Sequence, residues 1–214
     1  MRTVILLLFA CTTATTSVHA QRKAVTENGD QVILYDDGTW KAVTDSTTDA
    51  DTVKIATNPK PFAKEASSSF LVKSATAPPV AVWIDATKWN FARKKEGPQE
   101  YAFEMKSGDL YGMLISEKIE LPLEKLREVA VENARNAAPD MRVTHLEYRT
   151  VNGLKVLNME MRGSTSGVHF VYYGYYYTDT NGTYQLVVFT AEKLWDNTNK
   201  AKAEAFLNGL TEHQ

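Results

Sequence analysis

The chain has 214 residues, and its 24 Lys and Arg stand against 26 Asp and Glu, a formal net charge of −2. A balance this close to neutral lacks the positive field that binding a phosphate backbone requires, which excludes nucleic acid as a partner. Cys11 is the single cysteine, so stability has to come from burying apolar surface, for which a chain of this length suffices.

Arg2 precedes an unbroken apolar run, VILLLFA over residues 4–10, and Val18 and Ala20 put small residues at the −3 and −1 positions of a cleavage site. This layout predicts an export signal over residues 1–20 and a mature protein, periplasmic or extracellular, that starts at Gln21. The apolar run is far shorter than the roughly 20 residues that span a bilayer. Leu8-Phe9-Ala10-Cys11 resembles a lipobox, and on that alternative Cys11 is acylated and holds the protein on a membrane. Cleavage after Ala20 removes both Arg2 and Cys11; the charge becomes −3, and no thiol remains as nucleophile or metal ligand.

Residues 21–43 follow. Asn28-Gly29 and Asp37-Gly38 are turn signals because these residues tolerate the positive φ of tight hairpins. They predict a β-meander with strands at 23–27, 31–35 and 39–43, too small to bury a core alone. The Asp-Asp-Gly-Thr-Trp stretch over residues 36–40 resembles a short motif near the N-terminus of many exported bacterial proteins. Residues 44–79 are rich in Ser, Thr, Ala, Lys and Pro, the composition of a linker. Phe62, Phe70, Leu71 and Val72 interrupt it and suggest an extended strip pinned against the body of the protein, with a docking peptide as the alternative.

The body runs from residue 80 to the C-terminus. Strands are expected at 88–93, 100–106 and 109–118, then a helix over 122–138, opened by Pro122 and closed by Pro139. Leu123, Leu126, Ala130, Ala134 and Ala137 recur at its inward spacing. Four more strands follow at 142–151, 154–162, 168–178 and 183–190, with turns at Asn152-Gly153, 163–167 and 179–182. A last helix is expected over 194–210, with Leu194, Ala201, Ala205 and Phe206 inward. Short links make neighbouring strands antiparallel. The apolar runs VHFVYYGYYY and YQLVVF need cover on both faces of a sheet. The expected fold is α+β: one antiparallel sheet of about seven strands with helices packed on it, plus the N-terminal meander.

This element order, with an aromatic-rich entry around Trp83 and Trp89, resembles the PsbP-like fold over about residues 80–210. That group includes extrinsic photosystem subunits, Ran-binding proteins and bacterial adaptors. The resemblance implies an accessory or partner-binding protein, and it transfers no functional residue.

The residues themselves offer little chemistry. His145, His169 and His213 show no metal-ligand spacing, so no metal and no cofactor are expected. Gly163-Ser164-Thr165-Ser166-Gly167 has Thr at its centre and joins two strands, which is a hairpin loop and not a nucleophile elbow. No catalytic residue is nominated. Glu104, Glu117, Glu147 and Glu160 sit in strands and would have to pair on one face to act as a hydrolase; a charge-mixed sheet face explains them with less.

The aromatic strand around Gly174 remains. Tyr173, Tyr175 and Tyr177 share one face, and Phe170, Tyr172 and Tyr176 the other. A central core strand accounts for them, and so does a recognition surface, since tyrosine gives rigid amphipathic contact area. Tyr173, Tyr175 and Tyr177, with Tyr35 and Trp40 of the meander, are therefore the candidate binding residues. The expected function is an exported, non-enzymatic accessory protein of the cell envelope that recognises a protein or surface polymer. The alternatives are a hydrolase using strand carboxylates, or a carrier with a small-ligand pocket between helix and sheet.

Overall fold

The computed structural model describes residues 22–25, 31–34, 39–42 and 55–213. They fall into two compact units divided after Lys54. In the first, β1 (Arg22–Val25), β2 (Gln31–Leu34) and β3 (Trp40–Ala42) form the antiparallel meander that the turn residues predict.

The second unit begins at Ile55. Its strands are β4 (Ala56–Phe62), β5 (Phe70–Lys73), β6 (Val80–Ile84), β7 (Trp89–Arg93), β8 (Tyr101–Met105) and β9 (Tyr111–Glu117). Helix α1 (Leu123–Ala137) comes next, then β10 (Arg142–Val151), β11 (Leu154–Thr165), β12 (Val168–Asp179) and β13 (Gly182–Ala191). Helix α2 (Asn197–Leu207) and β14 (Leu210–Glu212) close the chain. The α+β class is as expected, but the sheet is not one antiparallel sheet of seven strands. Eight strands form a mixed sheet in the order β4-β10-β11-β12-β13-β9-β8-β7, and β14-β6-β5 form a separate three-stranded sheet.

Two strands that composition hides make the difference. β4 reads ATNPKPF, and two prolines disguise it as linker. It runs parallel to β10 at the sheet edge, where proline's missing N–H can face away from the ladder. Phe62 is fixed there by the Arg149 guanidinium, 4.4 Å from its ring centre, and its carbonyl accepts from the Asn152 N–H at 2.9 Å. β5 lies in the same compositional stretch and pairs with β6, whose sequence VAVWI is almost wholly buried. Residues 55–79 thus belong to the body and not to a linker.

The closing helix is also shorter than expected. Asp196 caps it, its side chain accepting from the Asn199 N–H at 2.7 Å, so the helical stripe is reset. Asn199, Ala203, Phe206 and Leu207 turn inward, while Leu194 is 38% exposed and Ala201 lies on the surface. Gly209 then lets the chain pass β6: a Cβ there would lie 2.0 Å from the Trp83 carbonyl oxygen.

Both faces of the large sheet carry packed elements, the second only over part of its width. Tyr173, Tyr175, Leu186 and Val188 pack with Trp89, Val82 and Phe206, so the small sheet and α2 cover one face. On the opposite face Met159, Met161, Tyr176 and Val187 pack under Leu126 and Ala130 of α1.

Candidate functional site

The candidate tyrosines lie on the α2 face, inside the core. Tyr173 and Tyr175 have no solvent exposure, which overturns them as a recognition surface. Tyr177 is half-buried, and its hydroxyl donates to Glu212 at 2.5 Å. Burial pushes the Tyr175 hydroxyl up to about 12. Its oxygen accepts from Arg149 at 3.1 Å, and its proton goes to Asn208 at 2.8 Å. Tyr35 lies outside the described residues. Trp40 opens β3 opposite Leu34.

Two of the four strand carboxylates come to this same face. Glu147 receives the Arg149 guanidinium, which also reaches Glu204, and Asn58 adds a bond of 3.2 Å. Glu160 receives Arg162 at 2.9 Å and Lys200 at 3.3 Å. Burial alone would raise both carboxyls. The partners outweigh it and hold both below the ordinary carboxylate value. Neither acid is poised to give up a proton near neutral pH, as a glycosidase acid must be. Glu104 and Glu117 are exposed and lie elsewhere on the sheet. The histidines stay apart: on β11, His145 pairs with Glu160, while His169 pairs with Ser164 four positions away. Among the described residues no group of three His, Cys, Asp or Glu stands at metal-binding distance.

Exposed aromatics stand on both faces: Phe70 and Phe91, with ring centroids 5.3 Å apart, on the small-sheet side, and a stacked row on the α1 side. α1 packs over β12, and the sheet continues past it through β13, β9, β8 and β7. Directly paired residues project from the same side of a sheet, so the registers define rows across this open half. One row runs Tyr172, Phe189, Tyr111, Glu104 and Asn90. Its three rings stack, with centroids 5.5 Å apart for Tyr172–Phe189 and 5.8 Å for Phe189–Tyr111. Tyr111 at its outer end is 41% exposed. The next row is Gly174, Val187, Met113, Ala102 and Ala92. Gly174 leaves no notch, since Val187 occupies the space: a Cβ would lie 2.9 Å from its Cγ2.

Between this face and α1 lies a trough of about 350 Å³, walled by Ala134 and Ala137 of the helix and by Met113, Ile115, Tyr172 and Val187 of the sheet. Pro98, Gln99 and Glu117 end it and also line a second cleft, of about 590 Å³, with Arg93, Lys94 and Lys95. Those three cations make no ion pair among the described residues. A larger groove of about 670 Å³ borders α2 on the opposite face. Its cations are already engaged: Lys88 with Asp85 and Lys202 with Asp109, each at 3.3 Å, and Lys106 with the Ala86 carbonyl at 2.9 Å.

Sequence reasoning found the aromatic strand and nominated the face whose Tyr173 and Tyr175 are buried. The usable signal was in the partner strands. Tyr172 pairs with Phe189 and through it with Tyr111, a ladder that appears only once the register is known.

No family model matches the sequence, and no curated protein matches it. Solved structures similar to the chain include the cyanobacterial PsbP of Synechocystis, at 14% identity over 63% of this chain and 87% of that one, with a TM-score of 0.47. They also include LpqN of Mycobacterium tuberculosis, described as involved in cell envelope biogenesis, at 10% identity over 66% and 90%, with a TM-score of 0.44. No described helix is long and apolar enough to cross a membrane.

Proposed function

We propose that this is an exported accessory protein of the cell envelope, which binds its partner across the uncovered half of the large sheet and catalyses no reaction. The observation that carries the reading is the stacked row Tyr172–Phe189–Tyr111, which runs from the wall of an apolar trough at Tyr172 to an exposed ring at Tyr111. Apolar concavities with a few polar groups at the rim are where ligands bind. The export signal supplies the compartment. The buried charges support the non-catalytic half of the reading: Glu147 is engaged by Arg149, and Glu160 by Arg162 and Lys200. The protein-or-polymer partner and the small-ligand carrier both use this same face.

Fractionation of the native host tests the reading. The wild-type protein is expected outside the cytoplasm and retained by the envelope fraction. Tyr111→Ser is expected to be exported equally, to unfold within a few degrees of wild type, and to be released. Cytoplasmic wild-type protein, or full retention of Tyr111→Ser, contradicts it.

A further inference from the structure

β7 ends the large sheet on one side, and among the described residues no strand lies beyond it. We infer that this edge takes an extended acidic segment of a partner protein as an added strand. The inference rests on the binding reading above, because β7 bounds the uncovered half of the sheet, and it names the partner's chemistry and its mode of docking.

The Lys106 N–H donates to the Lys88 carbonyl at 2.9 Å and the Lys94 N–H to the Glu100 carbonyl at 2.8 Å, so the even-numbered residues of this antiparallel pair bond to β8. Phe91 and Arg93 therefore turn N–H and C=O outward. Trp89 turns its C=O outward, while its N–H donates to the Asp85 carbonyl at 2.9 Å. Such a row of open backbone groups is a template for another strand. The far edge of the sheet is blunted, because β4 carries Pro59 and Pro61.

The side chains define what the added strand carries. Asn90, Phe91, Ala92 and Arg93 are exposed, and the Phe91 ring stands 5.3 Å from that of Phe70 on the small-sheet side. An apolar side chain of the partner would cover this pair. Beyond it, Arg93, Lys94 and Lys95 make no ion pair among the described residues, and Glu96 offsets one charge of the three. Acidic side chains beside Arg93 and Lys94 answer the rest. A second copy of this chain does not: paired antiparallel about Phe91, it would set Lys88 against Lys94 at each end.

The test is titration of the full chain with three capped eight-residue peptides: alternating Glu-Val, alternating Lys-Val, and the Glu-Val peptide N-methylated throughout, which removes its backbone donors. Saturable one-to-one binding of the Glu-Val peptide is expected, about tenfold tighter than that of either other peptide. In the complex the Phe91 and Arg93 amides are expected to exchange more slowly with solvent, and those of Asn90 and Ala92, already bonded to β8, to change less. Lys94→Glu with Lys95→Glu is expected to reverse the charge preference. Phe91→Pro removes an outward donor and no bond to β8, so it is expected to weaken binding more than Phe91→Ala does. Thermal unfolding shows whether both variants fold, and the N-methylated peptide decides the backbone question without them. The inference is overturned by no saturable binding to wild type, by equal binding of the N-methylated peptide, by indifference to the sign of charge, or by slowed exchange that spares β7. If it is overturned while Tyr111→Ser still releases the protein from the envelope, the binding face stands and only the docking edge is wrong.

Discussion

Tyr172 and Tyr173 are neighbours in sequence and meet opposite environments. Tyr173 is enclosed between the sheet and α2, while Tyr172 stands in an aromatic row that reaches solvent at Tyr111. Stability measurements separate the two faces. Tyr173→Ala and Tyr175→Ala are each expected to cost about 3–5 kcal/mol, as truncations of buried rings do. Tyr111→Ala is expected to cost about 1 kcal/mol, the worth of one partly exposed ring contact. Equal losses in urea unfolding would contradict the assignment of faces. The buried carboxylates make a second residue-scale prediction. The folded state holds Glu160 below its ordinary value of 4.5, so its stabilisation is complete above that value and is lost as pH falls through the folded one. Glu160→Gln is therefore expected to be less stable than wild type at pH 7, by about 1–3 kcal/mol, and the gap should close towards pH 3. A gap independent of pH would contradict the ionised assignment.

The elements divide by how local their signals are. α1 was legible because Pro122 and Pro139 bracket its apolar spacing from Leu126 to Ala130. The hairpins from β10 to β13 were legible through short turns such as Asn152-Gly153, both with positive φ. β4 was not, because Pro59 and Pro61 oppose a strand locally, and only pairing with β10, far along the chain, makes an edge strand of it. β14 was hidden for the same reason: Leu210 pairs with Val82, a partner that no local pattern names. The open face was the least legible part, since it depends on which strands α1 leaves uncovered. These assignments move the start of the folding unit from residue 80 to residue 55. A chain starting at Ile55 is expected to unfold in one cooperative transition. A chain starting at Val80 lacks β4 and β5, exposing Val72's and Phe62's partners in the core, and is expected to be insoluble or to melt far lower. Equal melting temperatures would restore the linker.

At the scale of the molecule, the sheet separates two kinds of surface. On the α2 side, polar groups are paired internally, from Arg149 with Glu147 and Glu204 to Lys202 with Asp109, and the large groove there has few polar groups left to offer. On the α1 side the helix packs over β12, and the aromatic row and the trough lie on the strands beside it. The proposed recognition surface is that half of one sheet face. Hydrogen–deuterium exchange of the protein with and without a detergent-free envelope extract tests this most directly. The account expects added protection in β7, β8, β9 and residues 130–137 of α1, and none in residues 85–88 or 198–205 around the opposite groove. Protection confined to that opposite groove, or no change anywhere, would contradict it.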